Sequence, residues 1–210
     1  MRAEPFRLSP GAAPVPAALN AAVAARLIVV TAIWLLGRPY AGAAGDALIY
    51  LGRALADQAS DPAFKALLLS LPSESDLALA IQPADPAAIH AAREALRTRL
   101  ALHLTDDLKR LHIGLQELGE FSPDAVSAGR RALRNAALDL MAANPRAEIG
   151  ELADGHYRAA ANMTDALGGL SALMLVGGEL YESALADFFD RWKSEPLVID
   201  KWFALQARDP

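Results

Sequence analysis

PAAIHAAREALRTRLALHLTDDLKRLHIGLQEL, residues 86–118, decides the fold. Its apolar positions are Ile89, Ala92, Leu96, Leu100, Leu104, Leu108, Leu111, Leu115 and Leu118. The steps are three or four throughout, which lays one apolar stripe along an α-helix of 3.6 residues per turn. A strand would alternate with period two, and nothing in this stretch does so. Asp106 and Arg110 lie four apart on the polar side and are expected to pair. Gly114 weakens the last turns, and Gly119 is expected to end the helix.

The same grammar continues toward the C-terminus. Ser122-Pro123-Asp124 reads as a restart, with a hydroxyl cap, proline at the first helical position and an acid in the first turn. The helix it opens is predicted to run to Ala143, where Asn144-Pro145 stops it. Further helices are predicted at 146–161, 164–176, 179–193 and 196–207, punctuated by Asn162, Gly177-Gly178 and Glu195-Pro196. Upstream, Asp61-Pro62 supplies an N-cap and first-position proline for a short helix through Leu71. Residues 73–81 form another short helix, and Asp46 to Gln58 carries Leu48, Leu51 and Leu55 on one face. Helices joined by loops of a few residues become antiparallel neighbours. The expected fold is therefore all-α: antiparallel helix pairs stacked as a partial α-solenoid, an ARM/HEAT-like superhelix.

Residues 1–45 form an atypical apolar N-terminal segment, and residues 46–210 a helical domain. From Ala17 to Gly37 the only strongly polar residues are Asn20 and Arg26. The run is near the ~20 residues that a spanning helix needs. Three readings stand open: a buried element of a soluble domain, with Leu27 to Leu36 rich enough in Ile, Val, Thr and Trp for a strand; a membrane anchor or signal through residues 17–37; or a segment from a truncated or frame-shifted gene that does not fold natively. Arg26 in mid-run weighs against the membrane, because a central charge costs ~2.5–3.5 kcal/mol on insertion scales.

Composition narrows the function. Hydrophobic residues make up 53% of the 210 and charged residues 21%, as in a globular chain, and the aromatic share of 6% makes the core aliphatic. A formal net charge of −5 with no concentrated basic face argues against a nucleic-acid partner. The absence of cysteine removes disulfides, zinc–thiolate sites and cysteine nucleophiles, and suits a reducing, cytoplasmic compartment.

Patterns that carry chemistry are missing. His90, His103, His112 and His156 never form H-E-x-x-H, which sets two imidazoles four apart to grip zinc. His103 and Asp107 share a helix face, as ligands could, but read as a solvated polar face. Gly169-Leu170-Ser171-Ala172-Leu173 lacks the second glycine of a nucleophile elbow and lies in a helical pattern. The acid pairs Glu148/Glu151, Glu179/Glu182 and Asp187/Asp190 read as surface carboxylates. Asn162-Met163-Thr164 matches a glycosylation sequon, yet both polar residues suit a helix N-cap. Arg130, Arg131 and Arg134 are a salt-bridged face or, more sharply, a carboxylate-binding surface, since guanidinium meets carboxylate as a bidentate fork. Asn135, beside the apolar stripe, needs a partner, with Asp139 one turn on as the candidate.

Three separated motifs resemble the C-terminal helical region of bacterial aminopeptidase N: Arg131-Ala132-Leu133-Arg134-Asn135, then Ala161-Asn162-Met163-Thr164-Asp165-Ala166-Leu167, then Leu197 to Ala207 with Asp200-Lys201-Trp202-Phe203. Pro86 to Leu104, with Arg93-Glu94-Ala95-Leu96, is similar to the preceding helix of that region. The resemblance runs from about Leu67 to Pro210. It implies a zinc-dependent exopeptidase family that removes N-terminal residues, in which zinc is held by an H-E-x-x-H domain and the substrate amine by a G-x-M-E-N loop. Neither motif occurs here, so the chain is expected to hold no metal and no cofactor, and to be inactive alone. Its implied role is to shape the active-site cavity and substrate access beside a missing or separately encoded catalytic domain. Arg134, Asn135, Asn162, Asp165 and Asp200 carry over as interface or structural polar residues, not catalytic ones. The family continues with more helices beyond Arg208-Asp209-Pro210, so an array cut at both ends would expose apolar faces and self-associate. A stand-alone helical interaction module and a membrane-anchored helical protein are the alternatives.

Overall fold

The computed structural model describes residues 51–57, 59–80, 83–117 and 119–207. The apolar run at 17–37, with its three readings, lies outside the described residues. Among those described, every regular element is a helix. A helical turn at 51–56 precedes α1 (Pro62–Leu69), α2 (Glu74–Ala80), α3 (Pro86–Gly114), α4 (Ala125–Ala142), α5 (Ala147–Arg158), α6 (Met163–Val176), α7 (Glu179–Trp192) and α8 (Pro196–Gln206). None of these is long and apolar enough to cross a membrane.

The caps explain the boundaries. Asp61 accepts hydrogen bonds from the backbone N–H groups of Ala63 and Phe64, with Pro62 in the first turn of α1. Asp85 does the same for Ala88 ahead of α3. At α4 the reading needs correction. Asp124 is the N-cap, accepting from Val126 and Ser127, while the Ser122 hydroxyl donates to Asp124 at 2.6 Å and Pro123 lies outside the helix. A carboxylate that can take two N–H groups displaces the hydroxyl as the cap. The hydrogen bonds from Ser122 and the Ser127 backbone hold the Asp124 carboxyl well below the usual carboxylate range. A second correction concerns α3, which ends at Gly114 rather than Leu118. A third is the pairing of Arg110, whose guanidinium meets the Asp107 carboxylate, while Asp106 offers Arg110 only its backbone carbonyl.

The stripe of α3 is the spine of the core. Ile89, Leu96, Leu100, Leu104 and Leu108 are buried, and Ala92, Leu111 and Leu115 pack at its edge. Burying one leucine fully contributes roughly 1.5–3 kcal/mol, so this stripe outweighs any surface pair on the same helix. Helix α4 packs against α1, α3, α5 and α6 and stands at the centre of the stack. Helices α5 and α6 form the next closely packed pair, with Ile149, Ala153 and Tyr157 of one and Leu170 and Leu173 of the other in the same core. Gly169 lets them approach. A Cβ there would stand 2.8 Å from the Tyr157 Cβ. Gly177 and Gly178, both at positive φ, reverse the chain between α6 and α7. Helix α8 docks on α7, where the Trp202 indole donates to the Leu185 carbonyl at 3.0 Å. Contacts of α4 with α6 and of α5 with α7 carry the stacking from one pair to the next, as in a helical solenoid.

Candidate functional site

Four of the five polar residues singled out by sequence come together where α3, α4, α5 and α6 meet. Arg134 and Asn135 sit side by side on α4, and Asn162 and Asp165 open α6. The Asn162 side-chain oxygen caps α6, accepting from the Asp165 backbone N–H at 2.9 Å, and its amide donates to Asp165 Oδ2 at 3.0 Å. Asn135 Nδ2 donates to Asp165 Oδ1 at 3.1 Å. The buried Asp165 carboxylate is therefore held by amides from two helices. The expected partner Asp139 is instead on Arg97, at 3.0 Å. Asp200 stands exposed on α8, away from the group on the outer helix pair.

Arg134 is half-buried, and its Nε donates to the His112 carbonyl at 3.2 Å, satisfying one of the carbonyls left open at the end of α3. Burial lowers the affinity of this guanidinium for its proton, against the opposing pull of Asp165 and Glu117. The neighbouring arginines already have an internal carboxylate. Arg131, buried, donates to Glu117 at 3.1 Å and lies 4.6 Å over the Phe121 ring, and Arg130 reaches within 4.0 Å of the same Glu117. Glu117 lies in the α3–α4 link, so this pairing ties the link to α4.

Two histidines are the part that sequence reasoning missed. His112 on α3 and His156 on α5 are 3% and 2% exposed, and their rings meet edge to edge with Nε2 of His112 3.0 Å from Nδ1 of His156. Burial pushes both imidazoles far below their ordinary range, to about 3 for His112 and about 4 for His156. The mutual repulsion and Arg134 add to the shift at His112; at His156 Arg134 adds to it, while Asp165 resists it. Both are thus neutral at pH 7. A signal was present: His112 follows Leu108 by four, and His156 follows Ile149 and Ala153 by seven and three, so each occupies a stripe position. His90 and His103 are exposed. His103 is bonded to the Arg99 carbonyl and Asp107 to Arg110, so these two do not converge as ligands.

A small polar cleft opens beside the cluster, lined by Glu117, Phe121, Arg134, Asn162 and Asp165. No nucleophile with an adjacent base lines it. Among the described residues no three His, Cys, Asp or Glu side chains converge as metal ligands. Two of the acid pairs have a member engaged elsewhere. Glu148 is bonded to Lys109 at 3.0 Å, and Asp187 accepts from the Tyr157 hydroxyl at 2.6 Å with Arg191 beside it. Burial and then this carboxylate push the Tyr157 hydroxyl above its ordinary range. Ser171 lies in mid-α6 facing a second groove with Arg93, Arg97 and Asp139, whose charges already pair.

Comparison with known proteins places this arrangement. Residues 17–210 match the family model described as "Domain of unknown function (DUF3458_C) ARM repeats", a match that reaches back into the apolar segment. An aminopeptidase N of Caulobacter vibrioides is 59% identical over 160 residues, 76% of this chain and 18% of that protein. An aminopeptidase N of Escherichia coli is 35% identical over 156 residues, 74% of this chain and 18% of that protein. The chain thus spans less than a fifth of the length of these relatives. The crystal structure of Legionella pneumophila aminopeptidase A in complex with aspartic acid superposes with a TM-score of 0.74, covering 90% of this chain and 23% of that one at 22% identity, a likeness of fold.

Proposed function

This chain belongs to the DUF3458_C ARM-repeat family, as a homologue of the C-terminal helical region of bacterial aminopeptidase N, and from that premise we propose that it is the non-catalytic helical part of a zinc aminopeptidase. Its task is to form one wall of the cavity in which the catalytic domain works, and so to set which peptides reach the zinc. Zinc and the peptide-cleaving step belong to a catalytic domain, on the same polypeptide or a separate one. The observation that carries this reading is the 59% identity to an aminopeptidase N across 160 residues. The inward arrangement of the polar groups supports it. Asp165, Glu117 and the two buried histidines bond to other groups of the chain, as parts of a rigid wall do. The test is direct. The purified chain, with and without added zinc, should not hydrolyse amino-acid amides, and metal-dependent turnover by the pure chain would overturn the proposal.

A helical module that docks on another chain is a second reading, favoured by the surface of α8. Leu197 is 81% and Phe203 59% exposed there. The Phe203 ring meets Trp202 edge-on, and Trp202 lies against Phe189. Co-purification of a separately expressed H-E-x-x-H domain with the wild-type chain, lost on L197E/F203E, would favour that reading.

A further inference from the structure

The buried histidine pair sits at a joint. Helices α3 and α5 belong to successive pairs of the stack, and two polar contacts bridge them: His112–His156, and Lys109–Glu148 at 3.0 Å one turn closer to the N-terminus of α3. The second is exposed and stays ionised in mild acid, since Lys109 holds the Glu148 carboxyl below its usual range. The first is closed off from water; it survives one proton, since an imidazolium N–H still donates to a neutral ring, and is lost when both rings are protonated, because the pair then has donors and no acceptor.

The surroundings decide which nitrogens carry protons. His156 Nε2 lies 4.0 Å from Asp165 Oδ1, and Asp165, through its charge and its backbone, favours a proton on this ring. A proton on Nε2 faces the carboxylate, whereas a lone pair there would face it with repulsion, so the tautomer assigned to His156 is Nε2–H. Its Nδ1 then accepts from Nε2–H of His112. That leaves His112 Nδ1 a buried lone pair without a partner. An incoming proton lands on it, and the resulting imidazolium has no anion beside it. The charged groups facing the pair are Arg134 from α4, whose Nε bonds the carbonyl of His112 itself, Asp165 from α6 on the far side of His156, and Glu117 beyond Arg134. Lys109 and Glu148 neutralise each other. A cation at His112 therefore meets Arg134 before any carboxylate, and Asp165 is already held by Asn135 and Asn162.

We propose that the neutral His112–His156 pair is an acid-released latch: it closes the seam between α3 and α5 at neutral pH, and protonation of the two rings opens that seam while α7 and α8 stay folded. Depression of both imidazoles by burial is what couples opening to proton uptake. Two protons enter per opening, so the opening equilibrium rises by up to ~100-fold per pH unit below about pH 6.5.

Hydrogen exchange of the full chain from pH 7 to 4.5, corrected for intrinsic rates, tests this. Protection at residues 108–113 and 152–158 should fall only about tenfold between pH 7 and 6 and approach ~100-fold per pH unit below that, with α7 and α8 unchanged. H112Q should cut the slope to ~10-fold, because one proton remains. Flat protection at the seam, or simultaneous loss across all helices, overturns the latch. If H112Q does not fold, the imidazole proton resonances of the wild-type chain decide. Two buried rings that stay neutral below pH 5 and titrate together with seam opening support it, and independent titration near the ordinary value of 6.5 overturns it.

Discussion

Gly169→Ala should destabilise the chain, whereas Gly155→Ala should stabilise it. Both glycines lie inside helices of the same packed pair, α6 and α5. At 169 an added Cβ would stand 2.8 Å from the Cβ of Tyr157 and 2.9 Å from its Cα and backbone N. Carbon atoms pack at ~3.5–4.0 Å, so the two helices must part by somewhat less than about 1 Å at this crossing. Backbone atoms cannot swing aside as a side-chain tip can. Tyr157 is also fully buried and donates to Asp187 on α7, so its displacement strains the next pair. Overpacking of this kind costs ~1–3 kcal/mol. Alanine returns ~1 kcal/mol of helix propensity, leaving a net loss of up to about 2 kcal/mol. At 155 an added Cβ meets nothing within 4 Å, and the site is exposed. Only the propensity gain of ~0.5–1 kcal/mol remains there. At ~2–4 °C per kcal/mol for a chain of this size, the two variants should differ in Tm by up to about 12 °C, with opposite signs against wild type. Circular dichroism melts and urea titrations read this. Stabilisation by both substitutions would refute the close approach of α5 and α6.

Asn162→Ala removes both the cap of α6 and a donor to Asp165, and should cost about 1–2 kcal/mol in urea unfolding; a loss below about 0.5 kcal/mol would contradict the cap. Gly177 stands at φ 72° and ψ −171°, a region almost closed to other residues. Gly177→Ala should therefore cost ~1–3 kcal/mol and lower the Tm of the isolated chain. Stability should also fall in mild acid. The folded-state values of His112 and His156 lie below the unfolded value of 6.5, so the unfolded chain binds protons that the fold refuses. Their contribution is fully present above pH 6.5 and is lost as the pH drops toward 4, at up to ~1.4 kcal/mol per pH unit for each ring. Urea midpoints at pH 7 and pH 5 measure it, and equal midpoints would contradict burial of the neutral pair.

Periodicity made the helices legible, and cap chemistry made most of their starts legible. The stripe from Ile89 to Leu108 is buried as read, and Asp61 and Asn162 cap the helices they were expected to cap. Local sequence did not show what lies across a helix. Asn135 was expected to bond Asp139 one turn along, yet its partner is Asp165, thirty residues away on α6. A period places a side chain on a face and leaves the facing element unspecified. The end of α3 was misplaced for a related reason. The helix ends at Gly114, the weak helix former in its last turn, and Glu117 beyond it pairs with Arg130 and Arg131 on α4, a contact that local sequence does not show. His112 and His156 sit on apolar stripes 44 residues apart, so only the fold reveals them as a pair.

The proposed role as the helical wall of an aminopeptidase N predicts that this chain can replace its counterpart in a relative. Grafting residues 51–207 in place of the matching stretch of the Caulobacter vibrioides enzyme, which is 59% identical where the two align, tests it most directly. The chimera should fold, keep its zinc, and hydrolyse an amino-acid amide within about tenfold of the parent kcat/KM, a difference of ~1.4 kcal/mol. A folded, zinc-loaded chimera with no turnover would contradict it.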